Sequence, residues 1–92
     1  MLAVTVQARA AAVLARLSLS ERTAAAIAFR RLPFVFGHPH THSGAGIRRL
    51  RPDLFELRIG LRLLALFQRR HDELNVVLIA THDEVRRYLR QL

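Results

Sequence analysis

The arginines and histidines of this sequence are its candidates for anion binding and proton transfer. Five arginines fall within fifteen residues, at Arg48, Arg49, Arg51, Arg58 and Arg62. Guanidinium groups bind phosphate oxygens in pairs and stack on bases, so such a cluster favours a nucleic-acid ligand. The alternative is a solvated sheet edge, where charge prevents edge-to-edge pairing of strands.

The histidines are the candidates for proton transfer. His82 follows an apolar stretch and precedes a predicted helix, a position that suits a general acid or base. His38, His40 and His42 alternate along one segment, so their imidazoles would share a face of an extended chain. That spacing could hold a metal, but no carboxylate ligand is evident nearby, and we favour a polar loop. We therefore expect no metal and no cofactor.

Composition narrows the possible functions. Fifteen arginines, no lysine and seven carboxylates give a formal charge of +8, which favours an anionic partner such as nucleic acid or an acidic protein. A genome rich in G and C would also explain the missing lysine. Without cysteine there are no disulfides, thiolate zinc sites or thiol nucleophiles. Metal-independent RNA cleavage stays possible, because histidine and arginine supply its acid, its base and its cations.

The length of 92 residues allows one domain, which we assign to residues 1–92. A hydrophobic fraction of 51% argues against a disordered basic tail. No apolar stretch approaches the length of about 18 residues that a membrane span requires. We therefore expect a cytoplasmic protein with no membrane partner.

The first half of the chain predicts a strand followed by a helical hairpin. The strand covers Ala3–Gln7, and a first helix covers Ala8–Leu17. Ser18 and Glu21 have the spacing of a capping box, so a second helix begins there and ends before Pro33. The residues expected in the core of this hairpin are Val13, Leu14, Leu17, Ala26, Ile27 and Leu32.

The second half predicts four strands and a final helix. The strands are Ile47–Arg51, Leu54–Ile59, Arg62–Gln68 and Leu74–Ala80. Thr81 and Glu84 form a second capping-box pattern that begins the C-terminal helix. Helices packed on one face of a mainly antiparallel, four- to five-stranded sheet make an α+β domain.

The turn around Gly60 decides which side chains share a sheet face. A two-residue loop would place Arg62 on the face of Phe55 and Leu57. A three-residue loop places Arg58 opposite Arg62 and separates polar from apolar residues, so we prefer it. The apolar face then contains Phe55, Leu57, Leu63, Ala65 and Phe67. Two guanidinium groups lie side by side on the other face.

The segment Gly46–Phe67, with the sequence GIRRLRPDLFELRIGLRLLALF, resembles the middle of toxins of the RelE/ParE superfamily. The segment Ile79–Glu84 is similar to the end of the HigB-type branch, in which a histidine follows the last strand. The predicted order of elements matches that fold. The resemblance implies a toxin that cleaves mRNA, usually on the ribosome, and that a cognate antitoxin holds inactive.

Two alternatives stay open. The ParE branch inhibits DNA gyrase and is not a nuclease, and a third possibility is a binding module that has lost activity. Glu56 stands where related toxins often have a lysine, and Asp83 and Glu84 occupy a stretch that is usually basic. These departures keep the inactive module open as an alternative.

The resemblance also implies roles for individual residues. Arg58 and Arg62 would bind the scissile phosphate, and His82 would transfer a proton. His42, the histidine nearest Arg48 in the sequence, is our own addition as an assisting group. The remaining RNA-binding candidates are Arg48, Arg49, Arg51, Arg86, Arg87 and Tyr88.

Overall fold

The order of elements is the predicted one over the residues that the computed structural model describes, 2–38, 42 and 44–92. These elements are β1 (Ala3–Val6), α1 (Ala8–Arg16), α2 (Leu19–Val35), β2 (Ile47–Arg51), β3 (Leu54–Arg58), β4 (Leu64–Arg70), β5 (Glu73–Ala80) and α3 (His82–Arg90). Both capping boxes are present, with Ser18 and Glu21 at the start of α2 and Thr81 and Glu84 at the start of α3.

The strands form one five-stranded sheet in the order β1-β5-β4-β3-β2. Strands β2 to β5 pair antiparallel with their neighbours in sequence, while β1 pairs parallel with β5. The parallel pair is possible because the chain between β1 and β5 is long enough for a crossover. The predicted α+β class and the mainly antiparallel sheet are therefore confirmed.

The helices cover both faces of the sheet, so the prediction that they share one face is wrong. On what we call the hairpin face, Phe55, Ala65 and Phe67 pack with Ala10 of α1 and Leu32 of α2. On the α3 face, the apolar side chains from β3 to β5 pack with α3. They are Leu54, Leu64, Leu66, Val77, Leu78 and Ala80, which meet Val85. Since alternate residues of a strand point to opposite faces, a sheet apolar on both sides needs cover on both.

The turn between β3 and β4 differs from the predicted one. Arg58 pairs with Leu64, where β4 begins, so Arg62 lies in the connection and does not oppose Arg58. The carbonyl of Leu63 accepts hydrogen bonds from the backbone N–H groups of Ile59 and Gly60, at 3.0 and 3.3 Å, and these bonds close a longer turn. Of the expected apolar face, Phe55, Leu57, Ala65 and Phe67 nevertheless lie together in the core of the hairpin face, because a two-residue shift of the strand start preserves the alternation. Leu63 lies in the connection instead.

The helical hairpin also departs from the prediction in two places. Helix α2 continues through Pro33 to Val35. Proline is tolerated there because it removes only one backbone bond within the last turn. Of the predicted core residues, Leu32 is fully buried, but Ile27 is 53% exposed. Ala25 is buried in the hairpin in place of Ala26.

Within the described residues, none of the helices combines the length and the apolar character that a membrane span requires.

We predict that Gly46→Ala lowers the free energy of unfolding by about 1–2 kcal/mol, because Gly46 has a φ of +75°. A Cβ at that position would also lie 3.0 Å from the Cβ of Arg58. Gly60→Ala is the matched control, since nothing lies within 4 Å of a Cβ at Gly60. Urea unfolding measures both variants, and equal effects of the two would contradict the prediction.

Candidate functional site

A cleft of about 580 Å³ opens on the α3 face, between the sheet and the first two turns of α3. Its apolar floor includes Leu64 and Val85. The polar groups on its walls are Arg48 from β2, Glu56 and Arg58 from β3, and His82 and Arg86 from α3. It therefore combines residues from both halves of the arginine cluster with the favoured histidine, and we call it the polar cleft.

Strand alternation explains how β2 and β3 place these side chains. Glu56 and Arg58 are two residues apart on β3, so they share the α3 face. Arg48 pairs with Glu56 across the strands. A salt bridge of 3.1 Å joins the Arg48 guanidinium to Glu56 Oε1. Glu56 is only 8% exposed, and this ion pair compensates the burial of its charge.

Arg58 is the last residue of β3 and donates hydrogen bonds to the carbonyl groups of two glycines. Its backbone N–H donates to the carbonyl of Gly46 at 2.9 Å. Its side-chain Nε donates to the carbonyl of Gly60 at 3.3 Å. The side-chain bond holds the guanidinium at the end of β3, beside the mouth of the polar cleft.

His82 is the first residue of α3 and is exposed on the rim of the polar cleft. Its position is fixed by the capping box around it. The Glu84 N–H donates to Thr81 Oγ1 at 3.4 Å, and the Thr81 N–H donates to Glu84 Oε1 at 2.9 Å. The hydrogen bonds from Thr81 lower the pKa of Glu84 below its ordinary value, and burial raises it by less. The nearby Arg87 and Arg62 cations also lower this pKa.

Arg62 lies outside the polar cleft. Its Nε and terminal nitrogen each lie 3.2 Å from Glu21 Oε2, at the start of α2. Partial burial raises the pKa of Glu21, but hydrogen bonds from Ser18 and the nearby Arg62 cation outweigh that effect and lower the pKa overall. The expected adjacency of Arg58 and Arg62 on one sheet face is therefore wrong, because the longer turn carries Arg62 towards α2.

The other candidate RNA-binding residues are spread over several surfaces. Arg49 points to the hairpin face, where its guanidinium carbon lies 5.3 Å from the centroid of Phe55. Arg51 donates to the carbonyl of Leu50 at 2.8 Å and lines a second cleft of the α3 face, together with Tyr88. Arg87 lies on the other side of α3 from the polar cleft. Arg48, Arg49 and Arg51 are close in sequence, but they therefore lie on different surfaces of the molecule.

Within the histidine-rich segment, His42 lies on the hairpin side of the molecule, against Phe36. His42 Nε2 accepts a hydrogen bond of 3.0 Å from the Gly37 N–H, and its ring stacks on Phe36 at 5.5 Å. His40 lies outside the described residues. Among those residues, no group of three or more histidine, aspartate or glutamate side chains is arranged to hold a metal ion.

Glu56 lines the polar cleft although it is not among the site residues that the sequence predicts. A signal was present in the sequence. Glu56 lies between Phe55 and Leu57 in an apolar strand, so its side chain had to face the same way as Arg58. A carboxylate on a covered face of a sheet requires a cationic partner, which Arg48 supplies.

Comparison with known proteins supports the fold. No protein-family model matches the sequence, and neither does any curated protein. The crystal structure of a copper-bound mutant toxin from Helicobacter pylori is similar, with a TM-score of 0.65 and 13% identity over 92% of this chain and 99% of that chain. The solution structure of a conserved hypothetical protein from the same organism gives a TM-score of 0.50 and 15% identity over the same shares. The chain therefore has the fold of a solved toxin.

We predict that Glu84→Gln flattens the loss of stability in acid. A carboxyl group with a lowered pKa stabilises the folded state above its ordinary pKa, and this contribution is lost as the pH falls through the folded-state value. Thermal unfolding between about pH 5 and pH 2 should therefore show a shallower slope for the variant. Arg90→Gln, a charge change at the other end of α3, should keep the original slope. An unchanged slope in Glu84→Gln would refute the capping role.

Proposed function

We propose that this chain is a toxin of a toxin–antitoxin module in the RelE/ParE superfamily, acting in the cytoplasm as a metal-independent endoribonuclease on mRNA bound to the ribosome. The observation that carries the proposal is the polar cleft. It places His82, the buried carboxylate of Glu56 and several guanidinium groups around one space that can accept a phosphodiester. The toxin fold of the structural neighbour supports it.

The proposed reaction is an attack of the ribose 2′-oxygen on the adjacent phosphorus. The bond from phosphorus to the 5′-oxygen breaks, which gives a 2′,3′-cyclic phosphate and a new 5′-hydroxyl end. Glu56 accepts the proton of the 2′-hydroxyl, and the imidazolium of His82 donates a proton to the departing 5′-oxygen. The charge that develops on the phosphorane oxygens is stabilised by Arg58 and Arg86, which line the same cleft.

Arg48 has a supporting part in this scheme. Its 3.1 Å bond to Glu56 orients that carboxylate across the cleft. The second cleft of the α3 face, which includes Arg51 and Tyr88, offers a continuation for the flanking nucleotides. Arg62 and His42 are not among the residues that line the polar cleft, so the proposed chemistry does not use them at the scissile phosphate.

The proposed partner is a cognate antitoxin that is acidic, because a chain with a charge of +8 attracts segments of opposite charge. We expect a small acidic protein encoded beside this chain. Recovery of no such partner in a pull-down from the native host would count against a toxin–antitoxin module.

We predict that expression of the chain arrests growth and that His82→Ala restores it. Loss of a general acid should slow RNA cleavage by about 100- to 10,000-fold. Glu56→Gln should have an effect of similar size, while His71→Ala is the control, because His71 lies in the turn between β4 and β5. Growth curves and pulse labelling of new protein provide the measurement.

The same assay separates the alternatives. Growth arrest with normal protein synthesis and induction of the DNA-damage response would support inhibition of gyrase. An overproduced chain that is harmless, with normal translation, would rule out an active toxin.

A further inference from the structure

The second cleft of the α3 face has a volume of about 300 Å³ and lies between the β2–β3 turn and the end of α3. Its floor is apolar and includes Leu54 and Val77, which are both buried. Asp53 of the turn and Gln68 of β4 add polar groups, and Tyr88 lines the cleft from α3. An apolar space of this volume with a few polar groups on its walls suits a small, flat ligand.

Tyr88 supplies the aromatic surface of the cleft. It is the one tyrosine of the sequence, which has no tryptophan. Its side chain is partly buried, because it packs against the apolar cluster that contains Leu54 and Val77. A tyrosine that the core supports and that also borders a cleft can stack on the planar face of a nucleobase.

Asp53 is a carboxylate at the rim of this cleft in a chain with a charge of +8. Its side chain is exposed and, within the part of the chain that the structure describes, forms no salt bridge. Its backbone is fixed, since its carbonyl accepts a hydrogen bond of 2.9 Å from the Arg69 N–H and the ring of Pro52 restricts the turn before it. The turn therefore holds the carboxylate in place with its oxygens open to a ligand.

The chemistry of a carboxylate selects among the four RNA bases. An ionised carboxylate only accepts hydrogen bonds, so the bound edge must carry donors. Guanine has two neighbouring donors on its Watson–Crick edge, N1–H and the N2 amino group, and the two oxygens of Asp53 can accept both. Adenine and cytosine present an acceptor beside their one amino group, and uracil presents an acceptor on each side of its N–H. These bases would therefore place a lone pair against the carboxylate.

Gln68 and Arg51 complete the fit to a guanine nucleotide. Gln68 pairs with Leu54, the neighbour of Asp53, so its amide lies beside the carboxylate and can donate to guanine O6. Arg51 donates to the Leu50 carbonyl at 2.8 Å, which anchors its guanidinium and leaves further N–H groups for a phosphate.

The two clefts of the α3 face are close enough for one RNA strand. His82 and Tyr88 are six residues apart on α3, a rise of about 9 Å along the helix axis. A base in the second cleft therefore belongs to a nucleotide near the phosphate in the polar cleft.

We propose that the second cleft binds one guanine of single-stranded RNA, with the base on Tyr88, its N1 and N2 donors on Asp53 and its phosphate on Arg51. The proposal deepens the proposed function, on which it rests for the choice of RNA as the ligand. It assigns a base preference to a site whose reacting groups face phosphate and ribose. An acidic protein segment fits less well, because Asp53 repels carboxylates.

The test titrates the full-length protein, labelled with ¹³C at tyrosine, with guanosine, inosine and adenosine 5′-monophosphates. Because Tyr88 is the one tyrosine, its ring signals in NMR spectra report on this cleft. Inosine differs from guanosine only by the missing N2 amino group, so the ratio of their affinities measures the hydrogen bond from N2 to Asp53. We expect the guanosine nucleotide to bind at least about fivefold more tightly than either of the others.

Asp53→Asn should bring the ratio of guanosine to inosine affinity close to one and should raise the relative affinity for the adenosine nucleotide. The asparagine amide offers one acceptor and one donor, which matches the Watson–Crick edge of adenine. Asp72→Asn is the matched control, because it removes the same charge in the turn between β4 and β5, outside the cleft. Tyr88→Leu should weaken all three nucleotides about fivefold and keep their ratios, since stacking tolerates every base.

Equal affinities for the three nucleotides, a guanosine preference that persists in Asp53→Asn, or no change in the Tyr88 signals would each overturn the proposal. So would a glutamate-rich peptide that displaces the guanosine nucleotide from Tyr88, since the cleft would then be a site for protein. These measurements contain no cleavage step, so failure of the nuclease assignment leaves their outcome unchanged. Failure of the guanine site would in turn leave cleavage in cells intact, with no guanine enriched beside the new 5′ ends.

Discussion

The register of β3 against β4 is the constraint on which the other features of the molecule depend. Phe55 lies opposite Phe67 and Leu57 opposite Ala65, so these residues form the centre of the core on the hairpin face. The same pairing turns Glu56 and Arg58 to the α3 face. A slip of one residue would place a carboxylate and a guanidinium in the aromatic cluster, and burial of unpaired charge would cost several kcal/mol, roughly the stability of a small domain.

Two concave surfaces follow from this register. The polar cleft lies on the α3 face, because Glu56, its partner Arg48 and the first turn of α3 come together there. The hairpin face keeps an apolar groove, because α2 does not reach the end of β3. Arg58, as the last residue of β3, lies where the two surfaces meet. A chain of 92 residues therefore has a polar cleft on one face and an apolar groove on the other, with Arg58 lining both.

The parts of this structure that local chemistry controls are readable from the sequence. The capping boxes mark where α2 and α3 begin, at Ser18 with Glu21 and at Thr81 with Glu84. They are readable because a capping box is complete within four residues. Strand alternation likewise predicts the apolar grouping of Phe55 and Phe67. The position of Arg62 is not readable in this way, because it depends on the length of a turn whose closing bonds involve the Leu63 carbonyl. The separation of Arg48 from Arg49 by the sheet and the burial of Glu56 become evident only when the strand faces are assigned.

In the proposed function, the polar cleft cleaves RNA with His82 as the proton donor. Mapping of mRNA 5′ ends in cells that express either the original chain or His82→Ala tests it most directly. We expect new 5′-hydroxyl ends within coding regions for the original chain and none for the variant. Messages that stay intact while the original chain stops growth, or identical new ends in both strains, would contradict the claim.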